Sequence, residues 1–217
     1  MERARLITFE GIDGSGKTAL SKLLFERMQD VHHAVSYVEE FCEEYLDGYI
    51  QNGLKRDPYL KLKPELYSSW GQTLLFASSY TYKYETRIEP RLKRDELLLV
   101  DRFRDTVFAF HSVLFEEWDG LSREEAEAWI SQILKPLPQP DLTFFMSAKI
   151  EDLQVRWTRR GTAYSDDYQE YLGRVEARYE SQLAQYPERV VTLDASLSLK
   201  ENLEICESHV QKLLIPR

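Results

Sequence analysis

The chain has 217 residues, 43% of them hydrophobic, and a formal charge of −9 at pH 7. That length suits one domain with a single core, and the acidic balance argues against a broad face that neutralises nucleic-acid phosphates. No apolar run reaches the length of a membrane span, the first strand follows too closely on Met1 for a cleavable leader, and Cys42 and Cys206 form neither a metal-ligand pattern nor a disulfide framework. The expectations are a single domain over residues 1–217, a cytoplasmic location, and neither a nucleic-acid polymer nor a membrane as partner.

Leu6–Phe9 reads as a short buried strand, and apolar residues at 20, 23, 24 and 28 follow a helical spacing. Between them, Gly11-Ile12-Asp13-Gly14-Ser15-Gly16-Lys17-Thr18 satisfies G-x-x-x-x-G-K-[ST] in the strand–loop–helix context that gives the pattern meaning. Its glycines leave backbone N–H groups free to surround phosphate oxygens, and the helix N-terminus aims a positive dipole end at the same anion. Lys17 is placed to reach the terminal phosphates and the Thr18 hydroxyl to ligate Mg²⁺.

Four more apolar runs, at 34–38, 97–100, 142–146 and 190–193, alternate with helical patterns, which predicts crossovers and a parallel sheet covered on both faces. Residues 66–89 contain no Pro, and no Gly after Gly71, so they predict one long helix. Its aromatics, Trp70, Phe76, Tyr80, Tyr82 and Tyr84, form either a core stripe or a wall that stacks a flat ligand. The third strand ends in Asp101-Arg102. A carboxylate there holds Mg²⁺ in phosphate-loop enzymes, and the arginine would neutralise an acceptor phosphate or a phosphoryl group in flight.

Capping boxes at Ser122–Glu125 and Ser198–Glu201 open two later helices, and Pro136, Pro138 and Pro140 close the first of them. Arg156, Arg159 and Arg160 end a predicted helix just before the polar stretch 161–167. That arrangement predicts a mobile lid over about 156–168 that closes over phosphates and supplies charge. The plainer alternative is a solvated helix end whose arginines answer the C-terminal dipole.

Phe9-Glu10 and the glycine loop after it resemble the opening of thymidylate kinases, where an acidic residue lies inside the loop. Asp101-Arg102-Phe103 with Thr106, Ala109 and Phe110 is similar to that family's Asp-Arg-aromatic motif; residues 137–142 and Leu193-Asp194-Ala195-Ser196 resemble its approach to the fourth strand and its adenine-contacting turn. The resemblance implies a P-loop NTPase-type α/β three-layer sandwich: a five-stranded parallel sheet, helices on both faces and a mobile lid. It also implies ATP with Mg²⁺ as donor, a homodimer, and phosphoryl transfer to a nucleoside monophosphate, dTMP to dTDP or a related nucleotide. Carried over to this chain, Gly11, Ile12, Asp13, Gly14, Ser15, Gly16, Lys17 and Thr18, with Asp194 and Ala195, bind the donor, and Thr18 and Asp101 hold the metal. Lys17, Asp101, Arg102, Arg156 and Arg160 are the catalytic set; Asp13 contacts the acceptor sugar, Phe76 stacks on its base and Arg102 holds its phosphate.

The chain departs from that pattern at the acceptor. The family has a Thr-Arg-Glu-Pro-like stretch after the second strand; here Tyr37-Val38-Glu39-Glu40-Phe41 stands there, and carboxylates repel a phosphate. The arginine that reads the thymine carbonyl in the family is Tyr80 here. Both departures resemble deoxynucleoside kinases, which carry a glutamate at the end of the second strand as base for a sugar 5′-hydroxyl and a glutamine on the aromatic helix. Glu39 or Glu40, and Gln72, fit those places, so the acceptor is a nucleotide or a nucleoside. An ATP-binding regulatory protein without turnover is a further alternative. A guanine-nucleotide switch is disfavoured, because the chain has no Asn-Lys-x-Asp motif.

Overall fold

The computed structural model describes residues 5–32, 34–42, 45–58 and 69–215. Among them are five strands: β1 Arg5–Glu10, β2 Val35–Val38, β3 Leu97–Asp101, β4 Leu142–Ser147 and β5 Val190–Asp194. The helices are α1 Lys17–Gln29, α2 Leu46–Leu54, α3 Ser69–Lys83, α4 Glu89–Leu92, α5 Arg104–Asp119, α6 Arg123–Ile133, α7 Ile150–Arg159, α8 Asp166–Leu183 and α9 Leu199–Leu214. All strand pairs are parallel, in the order β2-β3-β1-β4-β5. The fold is the expected α/β type, a parallel sheet with helices around it.

Period-two alternation builds the core. Ile7, Phe9, Leu97 and Leu99 join Leu20, Leu24 and Met28 of α1 and Cys206 and Val210 of α9 in one buried cluster. Leu6, Leu98 and Val100, the alternate residues, join Tyr80, Val107, Phe115 and Ile130 from α3, α5 and α6 in the other. Parallel strands point their C-terminal ends to one edge. With β1 central, flanked by β3 and β4, the turns after these three strands meet there.

The expected single helix over 66–89 is divided, and residues 66–68 lie outside the described ones. α3 runs into a wide π turn at Tyr84–Ile88 before α4. Pro90 at the start of α4 gives the reason: it has no N–H to donate and its ring crowds the carbonyl four residues back. The aromatics divide too. Trp70 meets the rings of Phe115 and Trp129, Tyr80 is core, and Tyr82 is exposed. Both capping boxes form, with Ser122 accepting from the Glu125 N–H and Ser198 from the Glu201 N–H.

Candidate active site

The loop after β1 adopts a backbone that glycine permits. Gly11 and Gly14 have φ of 141° and 87°, and a Cβ at Gly14 would lie 2.5 Å from Trp157 Nε1. Lys17 opens α1 and is buried, with Nζ 4.0 Å from Asp13 Oδ1. Burial lowers its pKa and Arg102 adds to the effect, against the opposing pull of Asp13, Asp101 and Glu40. Thr18 is exposed at the same helix start.

Asp101 ends β3, buried, and its Oδ1 has no hydrogen-bond partner among the described residues. An orphaned acceptor beside a phosphate loop fits a divalent cation. Among the described residues no three His, Cys, Asp or Glu converge. Mg²⁺ takes one or two protein ligands and completes its shell with phosphate and water.

Arg102 follows with φ of 60°, its N–H donating to Phe9 O at 3.0 Å. Its side chain is fully buried and meets two carboxylates, Asp13 at 2.5 Å and Glu40 at 3.2 Å. Burial alone would lower the guanidinium pKa; Glu40 and Asp13 outweigh it and hold the pKa well above the usual value. Burial would likewise raise the Asp13 carboxyl, but Arg102 and Lys17 prevail and its pKa is lowered. Glu40 goes the other way: burial, with Asp101 and Asp13 nearby, raises its pKa despite Arg102 and Lys17. Glu39 turns outward to Lys22 at 2.7 Å. The structure therefore separates two glutamates that the sequence left equivalent.

A cleft of about 530 Å³, counting the space open to solvent at its mouth, opens on this cluster, lined by Asp13, Glu40, Gln72, Phe76, Arg102 and His111 among others. Phe76 and Gln72 thus stand where a base-binding wall was expected. Tyr80 does not line the cleft: it is buried over Phe103 at 6.5 Å, with Lys83 Nζ 4.4 Å from its ring centroid. Four residues after Phe76, Tyr80 is rotated about 40° further around α3, which turns it into the core.

The other side of the loop, toward α7 and the end of β5, also differs from expectation. Arg156 reaches back from α7 and donates to Ser15 O at 3.0 Å, to Gly14 O at 3.3 Å and to Ala195 O. Trp157 donates from Nε1 to Asp13 O at 3.0 Å. One predicted lid arginine is therefore tied to the backbone of the phosphate loop and of the turn after β5, while Arg159 and Arg160 stand in solvent. Arg156 also lines a second cleft of about 930 Å³ with Lys149, Asp152, Asp194 and Ala195. Asp194 caps its own turn, accepting from the Ser196 N–H at 2.7 Å.

Sequence reasoning did not single out Glu10 as a site residue. It ends β1 fully buried, accepting from the Phe103 N–H at 2.9 Å and from Thr106 Oγ1. Burial, aided by Asp105, raises its pKa to about 8. Its signal was present: a charged residue closing an otherwise apolar strand. Tyr168, 3.5 Å from Asp13, and His111 were also missed, because a single tyrosine or histidine on a helix reads equally well as core.

Residues 9–205 match the sequence model of a family described as thymidylate kinase. The thymidylate kinase of Pelotomaculum thermopropionicum is 28% identical over 204 residues, covering 91% of this chain and 88% of that protein. That of Acinetobacter baylyi is 28% identical over 210 residues, covering 96% and 99%. The crystal structure of thymidylate kinase from Ehrlichia chaffeensis has the same fold, with a TM-score of 0.66 over 98% of each chain at 22% identity.

Proposed function

The chain belongs to the thymidylate kinase family, and from that premise we propose that it transfers the γ-phosphoryl group of ATP to dTMP, giving dTDP and ADP. The observation that carries the reading is the contact of Asp13, inside the phosphate loop, with Arg102 at the end of β3. It joins the donor loop directly to the cleft that would take the acceptor.

The loop amides and Lys17 hold the donor's phosphates, and Arg156 and the turn at Asp194-Ala195 flank its base. Thr18 and Asp101 hold Mg²⁺, which when bound neutralises charge on the β- and γ-phosphates. A dTMP phosphate oxygen attacks the γ-phosphorus while the bond to the β–γ bridging oxygen breaks, and ADP leaves. Positioning and charge supply the catalysis. Arg102 exchanges one of its carboxylate partners for the acceptor phosphate, and Arg160 comes in from solvent when the exposed stretch after Trp157 closes, Arg156 and Trp157 staying tied to the loop. A single domain over residues 1–217, cytoplasmic and paired as a homodimer, completes the proposal. The exposed Leu74 and Tyr82 on α3 and Trp129 on α6 are apolar surface that a second copy would cover.

One observation favours a second reading, a kinase for a nucleoside 5′-hydroxyl. Glu40 occupies Arg102 and faces the cleft, as a base for a hydroxyl would. Glu40→Gln separates the two. With dTMP as acceptor, removing the charge relieves repulsion, so kcat/KM holds or rises. With thymidine as acceptor, removing the base costs on the order of 10²-fold or more in kcat. ADP release measured with each acceptor decides. No turnover of either by the wild-type chain would refute both readings and leave a nucleotide-binding protein.

A further inference from the structure

The cleft reaches past Arg102 to an end where, among the described residues, no cation faces it: Arg102 is the one arginine or lysine among its described lining residues, and Asp13 and Glu40 hold it. His111 lines that end. It lies on α5 five residues beyond Thr106, about 7.5 Å along the axis, which is the reach from the phosphoryl end of a nucleotide across its sugar. Its ring centroid is 4.8 Å from that of Phe76, and its Nδ1 is 3.0 Å from Thr73 Oγ1. Only 3% of the residue is exposed, and no described residue hydrogen-bonds its Nε2. The imidazole is thus pinned at one nitrogen and offers the other beside the ring expected to stack on a base.

Building on the acceptor-site reading above, we infer that His111 determines base specificity, its Nε2 hydrogen-bonding the edge of the acceptor base with Gln72 alongside it, and that this edge is read without a fixed donor.

The chemistry follows from what each group can offer. An arginine only donates, so it accepts a carbonyl and rejects an amino group. A neutral imidazole is different: if Thr73 donates to Nδ1, Nε2 carries the proton and donates; if Nδ1 donates to Thr73, Nε2 accepts. Burial keeps the ring neutral by pushing its pKa down to about 3. Thymine and cytosine present opposite donor–acceptor patterns on one edge and have the same ring size. The site therefore takes both, and the Thr73 hydroxyl rotates as the ring changes tautomer.

Two experiments on the full chain test this. The first is ¹⁵N NMR of the histidine rings, with and without dTMP or dCMP; His111→Gln identifies the signal among four histidines. The expected result is a neutral His111 whose protonated nitrogen differs between the two complexes. One tautomer in both, or no shift on adding either nucleotide, overturns the inference, and this readout needs no turnover. The second is steady-state kinetics. The wild-type chain should prefer one base over the other by less than about 10²-fold, where a donor-only site rejects the mismatched edge by about 10⁴-fold or more. His111→Leu should lower kcat/KM for both acceptors at least tenfold while leaving the KM for ATP within twofold, and His111→Gln should recover most of the loss. Equal effects on ATP and acceptor would mark His111 as packing alone. Wild-type inactivity on nucleotides and nucleosides alike would instead end the kinase reading, with the NMR result still deciding the role of His111.

Discussion

A carboxyl closing a buried strand has no water to stabilise its charge, and Glu10 is such a group. Its folded-state pKa, about 8, lies above the ordinary 4.5, so between those values the folded chain holds a proton that the unfolded chain has released. The stability this group contributes is complete below pH 4.5 and is lost as pH rises through about 8. Glu10→Gln carries a permanently neutral amide in the same place. The variant should lose less unfolding free energy than the wild type between pH 5 and pH 8, the range set by those two pKa values, as read by urea denaturation. An unchanged slope would mean that Glu10 is ionised in the folded chain. Gly14 makes a sharper case, because its positive φ and the Trp157 indole both exclude a side chain. Gly14→Ala should cost about 1–3 kcal/mol of stability and weaken ATP binding, measured by denaturation and calorimetry. Wild-type values in both would show that the loop adapts.

At the scale of elements, much was legible because the signals are local. Each of the five strands is a run of apolar residues, and each was expected within a residue or two of where it lies. Apart from Arg5 and Ala34 at two N-terminal ends, the errors fall at the C-terminal ends, at Glu10, Asp101, Ser147 and Asp194. These residues are polar and end their strands at the sheet edge where the turns meet, so they break the apolar pattern while their backbones stay in the ladder. The capping boxes were legible for a similar reason, each needing only four consecutive residues. Ser122→Ala should cost about 1 kcal/mol, read as a lowered urea midpoint with unchanged slope; no change would mean that packing of α6 makes the cap redundant. What was not legible depends on faces and distances between elements. Alternation sends Glu39 and Glu40 to opposite sides, but only the placed sheet shows which side holds Arg102. Tyr80 and Phe76 share a helix, and only the placed elements show that Tyr80 joins the buried cluster with Val100 and Phe103 while Phe76 stays half-buried at the cleft. Arg156 looked like a mobile cation, and carbonyl groups 39 to 142 residues away in sequence fix it instead.

Across the whole molecule, the strand order places the glycine loop at the centre of the sheet edge, with Asp101 and Arg102 on one side and the turn at Asp194-Ala195 on the other. The two clefts therefore lie on either side of one loop, linked through Asp13 to Arg102 and through Trp157 to α7. The central claim is that this loop holds a triphosphate and presents its end to the acceptor. Lys17→Met tests it most directly, since it removes the one buried ammonium of the loop and keeps an apolar stem of similar length. The measurement is dTDP formation from ATP and dTMP, with folding of the variant checked by thermal melting. The account predicts a fall in kcat/KM of about 10²-fold or more, as for other groups aimed at transition-state charge, with the variant still folded. A folded Lys17→Met chain that turns over at the wild-type rate would contradict it.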